Sequence, residues 1–226
     1  MAPPSGIAPT RRVAHPQGAR VNGVSEDQPD VVRRATALLG RTIIGHGVTV
    51  RITEVEAYGG REDPASHAFT RTPRSEIMYG PAYRLYVYRS YGIHLCANVV
   101  TGPREIGAAV LLRAGEVVDG HELARLRRGT PPERDVQLAR GPGNLAQALG
   151  ITLDDLGTDL LADHGDEPGE FTGVRLGPEV RNRRRIASGP RVGVSKAADV
   201  PWRFWLEGDP TVSAYRRSPR APAPCG

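Results

Sequence analysis

Apolar and polar positions follow two rhythms along this chain. Val31, Ala35, Leu38 and Leu39 recur at helical spacing, with Asp30 placed to cap the start and Gly40 to end it. Two-residue alternation then predicts strands over 42–44 and 48–58, joined by the turn Gly45-His46-Gly47. A second antiparallel pair is predicted over 85–91 and 93–100, with Gly92 at the bend. The apolar run before Arg113 reads as a short buried strand over 108–113. Helical patterns return over 117–128 and 142–149, and 191–194 reads as a late strand. Antiparallel strand pairs with helices between them predict a single α+β domain over 30–216. The flanks, 1–29 and 217–226, are rich in Pro, Gly, Ala and Arg and are expected to be disordered tails.

The same alternation singles out side chains. Val48, Val50 and Ile52 share one strand face, which Glu54, Glu56 and Tyr58 are expected to continue. An apolar face that runs into carboxylates is either leaving the core or entering a pocket. In a pocket, a desolvated carboxylate with a raised pKa can take a proton from water. Arg113 closes a buried strand and needs an anionic partner unless it faces water; Glu56 is the candidate. On the next strand Tyr86, Tyr88 and Ser90 share one face, and Leu85, Val87, Arg89 and Tyr91 the other. Tyr86 fits ordinary strand composition. Tyr91, at a hairpin tip beside Gly92, is better placed to act as a wedge in a base stack. His67 stands on a loop with Glu62 and Asp63 and carries a weak signal by itself.

Composition narrows the classes. The 226 residues are long enough for one well-cored domain, and 39% of them are hydrophobic. The net charge of +5 suits a polyanionic partner such as nucleic acid. Lys196 is the only lysine; the arginines either serve phosphate recognition or reflect GC-rich codons. Arg181, Arg183, Arg184 and Arg185 read as a basic loop. Cys96 and Cys225 make neither a disulfide framework nor a zinc site, which fits a reducing cytoplasm. No apolar run reaches the ~18–20 residues of a membrane span, and the N-terminus lacks the apolar centre of a secretory signal. An organelle transit peptide is the alternative to a plain tail there. His46, His67 and His94 match no metal spacing. Gly141-Pro142-Gly143-Asn144 before a helical pattern is either a phosphate-binding helix start or a plain one.

Residues 54–98 hold six of the seven tyrosines, Tyr58, Tyr79, Tyr83, Tyr86, Tyr88 and Tyr91, together with Glu54, Glu56 and His67. That density suits acid/base chemistry on a flat aromatic substrate. The strings TEVEAYGG-ED-ASHAF-RTPRSE-MYGP, LYVY--YG-H-CANVVTG, AAVLLRA, GPGNLAQALGI, RVGVSKAAD and P-RFW--G-P-VS follow in order. Together they resemble the alkyladenine, or methylpurine, DNA glycosylase family over 38–213.

The resemblance implies a mixed, mostly antiparallel curved sheet with surrounding helices and a DNA-inserting hairpin, like the C-terminal domain of some formyltransferases. It implies a monofunctional glycosylase that flips damaged purines from double-stranded DNA and hydrolyses the base–sugar bond. The family works without metal or cofactor and as a monomer, in the cytoplasm or at a bacterial nucleoid. Glu56 is similar to the general base, and Arg113 and the Val192 carbonyl to its water-positioning partners. Tyr58 and His67 resemble one wall of the base pocket, and Tyr88 the other. Asn98 resembles the residue that clashes with the guanine amino group. Tyr91 resembles the wedge, with Thr72, Arg74, Gly143 and Lys196 as further DNA contacts. Arg89-Ser90 stands where the family carries two apolar residues, Ile93 replaces a common methionine, and Pro81-Ala82-Tyr83 replaces a tighter turn. These departures touch the hairpin rather than Glu56, so altered DNA affinity or flipping is expected. The alternative is a catalytically silent nucleic-acid-binding module on the same scaffold, which would have no use for Glu56 and Arg113.

Overall fold

The computed structural model describes residues 19–21, 29–130, 132–162, 172–178 and 184–223. Among them three helices, α1 (Asp30–Leu38), α2 (His121–Arg128) and α3 (Pro142–Leu149), pack on one sheet. Its strands are β1 (Ala19–Val21), β2 (Thr42–Gly45), β3 (Val48–Tyr58), β4 (Leu85–Ser90) and β5 (His94–Val100), then β6 (Ala109–Asp119), β7 (Ala139–Arg140), β8 (Val174–Leu176), β9 (Ile186–Gly189) and β10 (Arg203–Leu206). The main path runs β1-β9-β10-β3-β6-β5-β4, with β2, β7 and β8 added beside it. All the pairings among described strands are antiparallel, so the sheet is not mixed.

Two long strands give the sheet its shape. The outer edge of β3 pairs with β2 over Val48–Arg51 and with β10 over Glu54–Glu56. Likewise β6 pairs with β5 over Ala109–Leu111 and with β7 over Ala114–Gly115. Both strands change neighbour at the same level, where their mutual register also slips twice. Ile52 opposes Gly115 and Glu54 opposes Ala114, which leaves Thr53 as an extra residue. Val55 then opposes Leu112, which leaves Arg113 extra on the other strand. Facing bulges of this kind bend and twist a sheet, here into a curled half-barrel.

The bulge corrects the expected facing of β3. Val48, Val50 and Ile52 do lie in the main core, but beyond Thr53 that face is taken by Val55 and Ala57. Glu54, Glu56 and Tyr58 therefore stand on the opposite face rather than continuing the apolar one. The core face is covered by Val31, Val32, Ala35 and Leu38 of α1 and by Leu145, Ala146, Ala148 and Leu149 of α3. Leu85, Val87, Ala97, Val99, Val110 and Leu112 complete it. The free face belongs to Tyr86, Tyr88, Cys96, Asn98, Leu111 and Arg113.

Other boundaries moved for local reasons. Asp30 is the first helical residue rather than the cap; its carboxylate bonds Arg33 (2.8 Å) and Arg34 (2.6 Å). Residues 117–119 end β6, and the helix waits until His121, because Gly120 turns the chain at φ +76. A Cβ on Gly120 would meet the Gly47 carbonyl at 2.4 Å. The expected late strand at 191–194 is a loop; the strand lies at Ile186–Gly189, before Pro190, whose missing N–H cannot continue a ladder. Within the two expected tails, Ala19–Val21 pairs with Ile186–Ser188, and Arg217 bonds Asp199 at 2.6 Å. Arg181 and Arg183 of the expected basic loop lie outside the described residues, while Arg184 bonds Asp209 at 2.9 Å.

Candidate active site

Alternate residues of four strands floor one cavity of about 730 Å³ on the free face. Glu56 and Tyr58 come from β3, Ala109, Leu111 and Arg113 from β6, Cys96 and Asn98 from β5, and Tyr86, Tyr88 and Ser90 from β4. The loop after β3 supplies His67 and Arg74, and the segment after β9 supplies Val192. This volume suits a nucleobase with its sugar.

Glu56 is fully buried, and both its oxygens are held. Oε1 accepts the Val192 N–H at 2.7 Å and lies 3.3 Å from Arg113 Nη1. Oε2 accepts the Tyr58 hydroxyl at 2.8 Å. Val192 thus meets Glu56 through its backbone amide, where the resemblance had assigned a role to its carbonyl. The Arg113 guanidinium serves Glu54 first, donating Nε–H to Oε1 at 2.9 Å. Glu54, with no exposed surface, also accepts Arg203 Nε at 2.6 Å and the Ser213 N–H at 2.7 Å. Burial alone would raise the Glu54 pKa, but Arg113, Arg203 and the Ser213 amide outweigh it and hold the carboxyl below its usual range. Burial works against the Arg113 charge, yet Glu56 and Glu54 raise its pKa above the ordinary arginine value.

The aromatic walls are braced from behind. The Arg191 guanidinium lies 4.8 Å from the Tyr58 ring centre and 5.5 Å from that of Trp202. It donates to Asp63 Oδ1 at 2.9 Å and to the Ala57 carbonyl at 3.0 Å, fully buried. Burial, then the Glu56 charge, pushes the Tyr58 phenol well above its normal pKa, so it stays a neutral donor. Opposite stands a ring cluster. His67 and Tyr88 meet edge to face with centres 4.5 Å apart, and Tyr86 and Tyr88 are 5.5 Å apart. His67 Nδ1 is 3.0 Å from the Tyr86 hydroxyl. Arg74 sits 5.1 Å over Tyr88. Partial burial and then the Arg74 charge lower the His67 pKa to about 4, leaving the ring neutral at pH 7. Asn98 donates Nδ2–H to the Tyr86 carbonyl at 3.0 Å, which fixes its amide plane against the cavity floor.

A carboxylate, a guanidinium and clustered phenols surround a cavity of nucleobase size, and comparison with known proteins decides the class. The sequence profile described as "Methylpurine-DNA glycosylase (MPG)" matches residues 25–210. The chain belongs to the methylpurine-DNA glycosylase family. A protein of Mycobacterium tuberculosis (strain H37Rv), named "Putative 3-methyladenine DNA glycosylase", is 54% identical over 200 residues, covering 86% of this chain and 94% of that one. A protein of Mycobacterium leprae (strain TN) with the same name is 50% identical over 217 residues, covering 92% and 97%. This methylpurine-DNA glycosylase family member is accordingly a DNA glycosylase, a hydrolase of N-glycosyl bonds whose substrate is damaged DNA.

The site of this glycosylase gathers Glu56, Tyr58, His67, Arg74, Tyr88, Asn98, Arg113 and Val192 around the cavity. Tyr91 stands at its rim, 88% exposed, with the non-glycine φ of 49° at the hairpin tip. Gly92 follows at φ 72°, and the Ile93 N–H bonds the Ser90 carbonyl at 3.0 Å, a tight turn that suits the twist of the strands. Gly143, in the first turn of α3, packs beneath the same hairpin; a Cβ there would meet His94 Cβ at 3.0 Å. Thr72 and Lys196 do not line the cavity. The Thr72 N–H bonds Ser75 Oγ at 2.9 Å, and Lys196 Nζ stands 5.7 Å over the Phe69 ring. Among the described residues no three His, Cys, Asp or Glu side chains converge as metal ligands, and His46 bonds Asp155 instead, at 3.0 Å. Sequence reasoning missed Asp63, Arg191, Arg203 and Ser213. Each meets its partner from more than a hundred residues away, so only fold-level proximity reveals them.

Proposed function

We propose that this glycosylase removes alkylated and deaminated purines, such as 3-methyladenine, 7-methylguanine and hypoxanthine, from double-stranded DNA with a water activated by Glu56. The lesion nucleotide rotates into the cavity, its base stacking between Tyr58 on one side and the touching His67 and Tyr88 rings on the other, rather than with His67 on the Tyr58 side as the resemblance implies. Extrusion costs a few kcal/mol, least for a weakly paired damaged base. Tyr91 fills the space left in the duplex. Water attacks C1′ of the sugar, its proton passes to Glu56, and the glycosidic electron pair departs with the base. An abasic site remains.

The observation that carries this reading is a fully buried Glu56 carboxylate on the wall of an aromatic cavity, with Arg113 Nη1 3.3 Å away. Glu56 Oε2 keeps a further lone pair beyond its bond to Tyr58, so a water can be oriented and deprotonated there. A purine alkylated on nitrogen carries positive charge, is attracted to electron-rich rings and leaves neutral. Hypoxanthine needs a proton as it leaves. Asn98, fixed by its bond to the Tyr86 carbonyl, opposes the amino group of normal guanine.

The test is base release from methylated duplex DNA and from a duplex with one hypoxanthine, in EDTA, by the wild type and Glu56→Gln. Release by the wild type and a loss of roughly 10²-fold or more in the variant are expected, the range for a positioned general base. Lesion binding by Glu56→Gln should persist. Wild-type turnover in that variant would remove Glu56 from the role.

A further inference from the structure

Behind Glu56 lies a buried four-charge array: Glu54, Glu56, Arg113 and Arg203, each at most 5% exposed. Arg203 stands opposite Glu56 in the β10–β3 register yet does not line the cavity. Its Nε reaches Glu54 Oε1 at 2.6 Å, and its Nη2 donates to the Ser213 carbonyl at 2.8 Å. Ser213 returns three bonds: N–H to Glu54 Oε2 at 2.7 Å, Oγ to Glu54 Oε1 at 3.0 Å, and acceptance of Arg113 Nη2 at 3.2 Å. Glu54 is therefore held by three hydrogen bonds before it touches Arg113.

The consequence falls on Arg113, among the described residues the one cation that both lines the cavity and reaches Glu56. Its Nε edge is taken by Glu54 and its Nη2 by Ser213, which leaves Nη1 aimed at Glu56. With Glu54 as its only neighbour, Arg113 would spend its charge on a buried carboxylate of no chemical use. Arg203 supplies that carboxylate with its own counter-charge, so part of the Arg113 field remains for Glu56 and the reacting water. We infer that Arg203 and Glu54 are positioning residues of the glycosylase reaction, holding Arg113 in place and in charge balance without touching the substrate. This inference rests on the assignment of Glu56 as the base.

Around Glu54 the facing groups are Arg113 from β6, Arg203 from β10, Ser213 from the C-terminal segment and Glu56 from its own strand. Loss of Arg203 removes one of two cations, so Glu54 takes up a proton at higher pH and the acid limb of the rate profile moves upward. The experiment is single-turnover base release against pH for wild type, Arg203→Met, Arg203→Lys and Glu54→Gln, with the dissociation constant for a duplex carrying a non-hydrolysable abasic-site analogue. Arg203→Met is expected to slow release about tenfold to a hundredfold, the scale of a displaced catalytic group. Binding should stay within about threefold, the acid limb should move up, and Arg203→Lys should recover most of the rate. A full rate in Arg203→Met, or a slow rate with an unmoved acid limb, overturns the inference. If Arg203→Met does not fold, Glu54→Gln decides: slow release with intact binding supports it and a full rate overturns it. A Glu56→Gln control separates the two levels. If that variant is active, the assignment of the base fails; if it is inactive while Arg203→Met keeps full rate, only the positioning role fails.

Discussion

Arg191 shows how much of this site depends on a side chain that does not line the cavity. Its guanidinium is buried between the Tyr58 and Trp202 rings, and Asp63 neutralises it. Asp63 in turn accepts the Gly59 and Ala65 amides, each at 3.1 Å, and so shapes the loop that carries His67. Removing one partner of such a pair strands a charge in the interior. Asp63→Ala is expected to cost about 3–5 kcal/mol. Chemical denaturation checks it, and a loss below about 1 kcal/mol would mean that solvent reaches Arg191 in the variant. Nothing local in the sequence announces this pair. Asp63 reads as one more acidic loop residue, and its partner lies 128 positions away. Glu56 was singled out by a carboxylate in an alternating run, and Tyr88 only through the family resemblance.

Between residues and the fold stand the strands, and there the sequence was read half correctly. The β2–β3 and β4–β5 hairpins lie where alternation and glycine placed them, to within a residue or two. The facing of Glu54 and Glu56 was misjudged because Thr53, whose hydroxyl bonds Thr211 at 2.7 Å, is bulged. A bulge has no signature in an alternating pattern; it depends on the partner strand. Gly115 is the partner-strand trace of it. A Cβ there would lie 2.3 Å from Val50 Cγ1 and 2.6 Å from the Arg51 carbonyl. Gly115→Ala is expected to destabilise by about 1–3 kcal/mol, as overpacking does. It should lower the urea midpoint without changing the slope. An unchanged midpoint would show that β3 and β6 can part locally at little cost. The Thr53–Thr211 bond also explains how the C-terminal segment reaches the site, since Ser213 lies two residues beyond Thr211.

For the molecule as a whole, charge is distributed by use. Neutral buried arrays serve the interior, Glu54 and Glu56 with Arg113 and Arg203, and Asp63 with Arg191, in a chain of net charge +5. Arg74, Arg89 and Arg216 line the mouth of the cavity beside Tyr91. Binding to lesion duplex is expected to weaken linearly in log Kd against log salt, with a slope that Arg89→Ser makes shallower by about one. Fluorescence anisotropy over a salt series measures this. An unchanged slope would take Arg89 off the phosphate track and return the altered hairpin to a purely steric role. Fold class and the cavity lining were legible at this scale, because motifs spread over the chain resemble one family. The curl of the sheet was legible only through that resemblance, since it comes from strands that change neighbours and leaves no mark in the alternation.

The two facing bulges act on heredity as well as on shape. A strand has a parity, and every residue beyond an insertion or deletion in a regular run changes sides. At its present length but without the bulge, β3 would turn Glu56 toward the helices and Ala57 toward the cavity, exchanging catalyst for filler without altering any residue. Loss of the extra Thr53 leaves those facings in place, because Ile52 and Glu54 then alternate directly, whereas loss of Val55 reverses Glu56. Lineages of this enzyme should therefore keep the count from Glu54 to Glu56, and a one-residue change of length in this part of β3 is expected only at the bulge.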